Sequence, residues 1–434
     1  MTGRADRIEG VLLAAACGDA LGVPYELGSA PLAPSEPPRM IGGGLGPYAP
    51  GEWSDDTQMA VVIAQVAAAQ GLRDGDALDA VVEGWLSWLR DGASDVGTQT
   101  RQVLAAVTEG PGTTPVWLRA REAAGDLHSR TGRSAGNGSL MRTAPVALAF
   151  LDDDPARLSI QARTISRITH RDDLAGDACV LWCHAIRVAV LEGGVPDLAD
   201  LVAELRPGVR DQWAGWIADA ERGRPADFSP NGFVVPALQA AWSAIRHPVG
   251  DGPPVVASLE AAVHAGDDTD TVAAIAGALL GAAWGASTLP EEWVGAVHGW
   301  PGLAAGDLRE LAHRVVDRGS GLAELHRVPD ELAEVAEHLV ARGLGEGYDF
   351  VVVGRPVPGG LSSEYIGLDK RDDGTYRVWY LGDWGTQRTL VETGDWQVAR
   401  SRFVDSAVTQ ARARHPRRKI LDDPEQPRRW WHRR

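Results

Sequence analysis

From its N-terminus to about residue 345 the sequence repeats apolar residues at three- and four-residue spacing, and beyond that point the pattern breaks. Stretches 8–20, 59–70, 77–89, 98–107, 173–191, 234–245, 269–286 and 308–316 each carry the helical period. Gly- and Pro-rich segments at 30–51 and 250–255 separate them, and no strand-like alternation competes. Short alanine-rich helices can bury their faces only against one another, so a large all-α core is expected. After residue 345, residues 348–353, 363–367, 376–381 and 388–392 form short runs rich in Val, Tyr and Trp. Asp372-Asp373-Gly374 and residues 382–385 punctuate them as turns, and a helical pattern resumes over 400–414. The sequence thus predicts an all-α domain over 1–343, a small α+β domain of hairpins and one helix over 344–414, and a basic tail over 415–434.

A chain of 434 residues can hold one large core or two to three ordinary ones. At 44% hydrophobic and 23% charged it is not a disordered polymer. The formal net charge of −17 disfavours broad affinity for nucleic acid or anionic membrane. The basic tail, with Trp430-Trp431 among its arginines, reads as solvated or lying on the acidic body rather than as a nucleic-acid arm. Three cysteines, Cys17, Cys179 and Cys183, are too few to staple such a chain, so a reducing, cytoplasmic setting is expected. Cys179 and Cys183, beside His184, lie on an apolar helical face and read as core rather than as metal ligands. Leu13-Ala14-Ala15-Ala16-Cys17 imitates a lipoprotein cleavage site, but its apolar run is short and follows Asp6 and Glu9, so export is not expected. Residues 272–286 are too few to span a bilayer and read as a buried helix.

The chemistry concentrates in two acidic clusters. Ser54-Asp55-Asp56-Thr57 and Asp267-Asp268-Thr269-Asp270-Thr271 each stand directly before an apolar helical run. Helix capping explains one such residue per helix. It does not explain the surplus, because packed carboxylates repel one another unless a cation lies among them. Carboxylates and hydroxyls without paired Cys or His suit Mg²⁺ or Mn²⁺ rather than Zn²⁺ or copper. With Glu26, which follows Gly18-Asp19-Ala20-Leu21-Gly22, the acids Asp55, Asp56, Asp268 and Asp270 nearly balance two divalent ions. Elsewhere, Ser134-Ala135-Gly136-Asn137-Gly138 opens into an apolar helix and can present backbone N–H groups to an anion, although Gly-Asn-Gly is also an ordinary turn. Thr169-His170 precedes a long helix, where the imidazole could meet a base or a ribose.

Taken in order, these segments resemble the ADP-ribosylglycohydrolase family. The resemblance rests on Gly18-Asp19-Ala20-Leu21-Gly22 with Glu26, Ser54-Asp55-Asp56-Thr57 with Met59, Asp95-Val96-Gly97, Gly136-Asn137-Gly138 with Met141-Arg142, Thr169-His170, and Asp268-Thr269-Asp270-Thr271, and spans about residues 8–290. It implies an all-α fold around a dinuclear Mg²⁺ or Mn²⁺ site, with Ser54, Asp55, Asp56, Asp268, Asp270 and Thr271 as ligands. Glu26 would lie at the metal edge, and Asp55, Asp56 or Glu26 would position the attacking water. The loop Ser134, Ala135, Gly136, Asn137, Gly138 would hold a diphosphate, His170 would line the adenosine side, and Asp95 and Gly97 would approach the ribose. Asp267 stands where relatives often carry glycine.

The implied activity is hydrolytic removal of ADP-ribose from a modified protein, arginine-linked or similar, with ADP-ribose as product. Two other readings remain open: an immunity protein against an ADP-ribosylating toxin, met through the C-terminal domain, and a binder of ADP-ribose without catalysis. Retention of five costly acids argues against the last.

Overall fold

The computed structural model describes residues 2–108, 114–249, 252–325, 328–357, 361–371, 373–382 and 386–421. Asp372, residues 383–385 of the expected turns, and residues 422–434 of the basic tail, including Trp430-Trp431, lie outside the described residues. The chain divides into two compact units, Met1–Ala323 and Glu324–Arg434.

The first unit is built on two helices, Arg4–Gly22 and Thr269–Trp284, that pack along their lengths. Gly10, Ala14, Gly18 and Gly22 follow one another at four-residue spacing, so they share one helix face. That face meets Ala273, Gly277 and Gly281 of the second helix. A Cβ on Gly10 would strike the Gly281 carbonyl, one on Gly18 the Ala273 carbonyl, and one on Gly277 the Ala14 carbonyl. The backbones therefore touch directly, with no side chain between them. Helices Asp173–Glu192, Val234–Arg246 and Pro254–Val263 pack around Thr269–Trp284, while Asp55–Gln70 packs on Gly75–Arg90 and on Ala144–Ala149. Trp53, Trp85, Trp88, Trp182, Trp213 and Trp242 fill the gaps in the core. Several indole N–H groups donate inward, as from Trp182 to the Ile275 carbonyl at 2.9 Å. Segments Arg4–Gly28 and Asp173–Glu192 are long and apolar enough to cross a membrane by length and composition, but their apolar windows are 94% and 78% buried in the fold.

All eight predicted helical stretches are helices, most of them longer by a turn or less at each end. Helices Val116–Thr131, Pro155–Ser166 and Arg210–Arg222 were not legible, because each buries only a narrow stripe among many polar residues. A minimal antiparallel pair, His298–Gly299 with Leu303–Ala304, is also present in this otherwise helical unit.

In the second unit four strands lie in sequence order: Phe350–Val352, Tyr365–Lys370, Tyr376–Leu381 and Gln387–Thr393. The last three form an antiparallel meander, with a bulge between Val378 and Trp379. The first pair corrects the expectation of hairpins: Phe350 and Val352 pair in parallel with Ile366 and Leu368. Phe350, Val351 and Val352 are all buried, as befits a short strand without a solvated face. The unit also begins earlier than the expected boundary at 343/344. Helix Asp330–Ala341 places Leu332, Val335, Ala336 and Leu339 in one core with Phe350, Val378 and Phe403 of helix Trp396–Arg414.

Gly277→Val should cost about 3 kcal/mol, because the added methyls meet backbone that cannot rotate away. Gly295→Ala, where a Cβ meets open space, should be neutral or slightly stabilising. Denaturant unfolding of both variants checks the contrast, and equal stabilities would contradict direct backbone packing.

Candidate active site

The close helix pair delivers Asp19, near the end of one helix, against Asp270, at the start of the other. Carboxylate oxygens of Asp19, Asp56 and Asp270 lie within 4.8 Å of one another, as do those of Glu26, Asp268 and Asp270. Asp270 belongs to both groups, so the two acidic segments of the sequence converge on one side chain.

Ser54 Oγ is 2.8 Å from Asp19 Oδ1, 3.0 Å from Asp56 Oδ2 and 3.2 Å from Asp270 Oδ2. A hydroxyl has one hydrogen and can satisfy only one of these three carboxylates. Asp56 Oδ1 is buried with no donor in hydrogen-bonding geometry. Hard oxygen donors, a shortage of hydrogens and an orphaned buried carboxylate oxygen together fit a divalent cation.

Neither N-cap side chain caps its own helix, although Asp270 Oδ1 accepts the Thr271 amide at 3.0 Å. The side chains of Ser54 and Asp268 make no capping bond. Instead the fully buried Asp19 reaches across and caps helix Asp55–Gln70, accepting from the Thr57 amide at 3.0 Å and the Thr57 hydroxyl at 2.6 Å. Its other oxygen accepts from the Ser54 amide and hydroxyl, both at 2.8 Å. Each Asp19 oxygen thus takes two donors, which fills its lone pairs and makes it an orienting group rather than a metal ligand. Sequence reasoning assigned Asp19 no role. The signals were its place in the Gly18–Gly22 motif and a charge inside an apolar helical stripe.

One cleft of about 260 Å³ joins the acids to the neutral segments. Glu26, Asp55, Asp95, Asp268, Asp270 and Thr271 line it together with the neutral Gly97, Gln99, Gly136, Asn137, Gly138, His170 and Gly232. Ser54 and Asp56 are buried and do not line the cleft, so Asp56 does not reach it as Asp55 and Glu26 do. Ser134 and Ala135 are likewise buried behind the loop, with Ser134 Oγ bonded to His128 Nδ1 at 2.7 Å. The turn itself is not a free row of amides, because the Asn137 N–H donates to the Gly232 carbonyl at 3.2 Å. Segment 231–233, unnoticed in the sequence, supports the turn. Asn231 accepts from the Asp268 amide at 2.9 Å, while Asn137 Nδ2 donates to Asp268 Oδ2 at 2.7 Å and to the Asn231 carbonyl at 3.1 Å. Asn137 therefore ties the turn to the acids.

His170 is 2% exposed, and its ring lies so close to Gly136 and Gly138 that a Cβ on either would come within 3.3 Å of Nε2. The two glycines are required by the imidazole as much as by any ligand. Burial, followed by the charge of Arg142, holds His170 well below the usual imidazole range, and hence neutral. Asp267 has φ +56, a conformation that favours glycine, and its carboxylate accepts from Ser229 Oγ at 2.5 Å, outside both acidic groups. The buried Cys179 and Cys183 are core, as expected, and His184 bonds Ser159 Oγ at 2.8 Å.

The ADP-ribosylglycohydrolase family model matches residues 1–324. The chain belongs to this family. The ADP-ribosylarginine hydrolase Tri1 of Pseudomonas putida is 32% identical over 74% of this chain and 80% of that protein. The ADP-ribosyl-[dinitrogen reductase] glycohydrolase of Rhodospirillum rubrum is 29% identical over 67% of this chain and 89% of that protein. A solved ADP-ribosylglycohydrolase-related protein complex superposes with a TM-score of 0.54 at 27% identity, covering 74% of this chain and 100% of that one. The protein is a glycohydrolase, and its second unit lies beyond the matched residues.

Electrostatics sets the state of this glycohydrolase site. Burial raises the carboxyls of Asp55, Asp56 and Asp270 well above the usual range, and neighbouring acids add to the effect. Burial first, then Asp95, Asp268 and Asp55, push Glu26 up to about 9. A carboxyl raised in the folded state favours folding below its unfolded pKa, and that contribution is lost as pH rises through the folded value. After exhaustive chelation, Tm should therefore fall as pH rises, with the Glu26 window running from 4.5 to about 9. A divalent cation should restore Tm most at the upper end. Calorimetric scans across pH, with EDTA and with added cation, check both slopes; a cation-insensitive Tm would contradict the cation fit.

Proposed function

We propose that the protein hydrolyses the bond between C1″ of ADP-ribose and a modified protein side chain, arginine-linked in the first instance, with two Mg²⁺ or Mn²⁺ ions. The observation that carries this reading is the shared cleft, which is lined both by carboxylates and by a neutral set of glycine, amide and imidazole groups. The carboxylates suit a cationic transition state, and the neutral set suits the polar, anionic half of ADP-ribose. The names of the relatives support the arginine linkage.

Ser54, Asp55, Asp56, Asp268, Asp270 and Thr271 would hold the ions, and the reach of Asp270 to Asp56 in one acidic group and to Glu26 and Asp268 in the other supports a pair of them. Bound there, the ions supply Lewis acidity and a seat for vicinal ribose hydroxyls. Asp55 and Glu26 are the candidate catalytic carboxylates that reach the cleft. One of them takes a proton from the attacking water as the water oxygen bonds C1″ and the C1″–nitrogen bond breaks, and a carboxyl of this pair returns one proton to the leaving guanidine nitrogen. Asp56, also a candidate from sequence, keeps Ser54 and the helix start in place from behind. Asp95 and Gly97 sit at the cleft beside Glu26 and approach the ribose, and Gly136, Asn137 and Gly138 seat the diphosphate with Ser134 and Ala135 as backing. The three buried, unpaired cysteines support a cytoplasmic setting.

We assign the second unit to recognition of the modified target, or of an ADP-ribosylating toxin in an immunity role, and not to catalysis.

Asp270→Asn and Asp19→Asn should each lower turnover of an ADP-ribosyl-arginine peptide by about 10- to 100-fold, whereas Asp267→Gly should be tolerated. Steady-state kinetics on folded variants checks the order, and an essential Asp267 would refute the assigned register. A complete lack of turnover on arginine-, serine- and nucleic-acid-linked substrates would favour a binder of ADP-ribose.

A chain ending at Ala323 should turn over the minimal peptide at near wild-type rate but lose efficiency on an intact modified protein. The cut belongs there because one near Gly345 would leave helix Asp330–Ala341 without its sheet. Loss of activity on the peptide by a folded, truncated chain would give the second unit a part in catalysis.

A further inference from the structure

Arg142 is fully buried and makes no ion pair among the described residues. Its guanidinium lies over the Trp85 ring, 4.0 Å from the centroid, and Nη1 reaches Met59 Sδ at 3.4 Å. Nε has no partner. The one strong bond it makes runs from Nη2 to the hydroxyl of Thr169, at 2.6 Å. That hydroxyl, also fully buried, lies 2.7 Å from His170 Nδ1. A buried cation is costly, and this one directs its charge along a single chain of polar groups toward the cleft.

Proton counting fixes the direction of that chain. A guanidinium only donates, so the Thr169 oxygen accepts from Arg142. The hydroxyl keeps one hydrogen, and His170 Nδ1 is the acceptor within reach. If Nδ1 carried the proton instead, the Thr169 hydrogen would be buried without an acceptor. A doubly protonated ring would share that defect and face Arg142 as well.

We propose that Arg142 and Thr169 are positioning residues that hold His170 as its neutral Nε2–H tautomer, so that the imidazole donates a hydrogen bond into the cleft between Gly136 and Gly138. No acceptor among the described residues takes that N–H, and the ring edge lies against both glycines. The acceptor is a diphosphate oxygen of ADP-ribose, not the adenosine that the resemblance implies for His170, because Nε2 lies against the Gly136–Gly138 turn; this part alone rests on the function proposed above. The arrangement delivers cationic polarity to the ligand without exposing an arginine, which would otherwise pair with Asp55 or Asp268 in the cleft.

Long-range ¹H–¹⁵N correlation spectra of the ligand-free full chain read the tautomer directly, and the Nε2–H pattern is expected for His170. Thr169→Val, which removes the hydroxyl and keeps the branched shape, should lose the single-tautomer signature and bind ADP-ribose roughly tenfold more weakly by calorimetry. Thr169→Ser should retain both. An Nδ1–H pattern in the wild type overturns the proposal whether or not the valine variant folds. So does a folded Thr169→Val that binds ADP-ribose as tightly as wild type. A wild-type chain that binds no ADP-ribose overturns the ligand assignment together with the proposed function, while the tautomer is read independently of both.

Discussion

The contact on which the rest of the first unit depends is the direct backbone packing of helix Arg4–Gly22 against helix Thr269–Trp284. Glycine on both faces removes the side chains that ordinarily hold helices 8–10 Å apart. The consequence is chemical as much as mechanical. Asp19 and Asp270 are carried on these two helices, and their short carboxylates can share the Ser54 hydroxyl only because the helices touch. Gly22 extends this proximity to the chain's exit toward Glu26, since a Cβ there would collide with the Asp270 backbone.

That arrangement works against stability. Ionised, these buried carboxyls are desolvated and repel one another in the folded state, and they meet neither penalty in the unfolded chain. The surrounding fold bears the cost through dense packing, with large tryptophans filling the space between helices. The site is held by groups that are not part of its exposed surface: Asp19 caps the helix that carries Asp55 and Asp56, and Asn231 bonds the Asp268 amide. Residues behind the cleft therefore set the geometry of the residues that line it.

The acidic and neutral parts of the cleft are directly linked. Asn137 bonds the Asp268 carboxylate with its amide nitrogen while its backbone N–H pairs with Gly232, so the turn is anchored to the acids. His170 and Arg142 add a second anchor from the other side. Displacing the turn would thus be felt at Asp268, which couples the seat of a ligand to the acids without any long-range device.

Much of this was legible in the residues themselves. Helical periodicity is a local property, so the order of helices and the change of character after about residue 345 follow directly from spacing. The surplus acids at two helix starts, hard donors without Cys or His, pointed to a cation before any contact was known. The tertiary structure alone decided which acids meet. Asp19, a charge in an apolar stripe with no role of its own in the sequence, organises Ser54 and Thr57, whereas Asp56 lies behind the cleft that Asp55 lines. Helix Asp330–Ala341 carries no mark of its allegiance in its own pattern, and only its packing on Phe350 and Val378 assigns it to the second unit. The parallel pairing of Phe350–Val352 was hidden for the same reason. Spacing along a chain reports which face a residue occupies, but the partner of that face is chosen by segments far away in sequence.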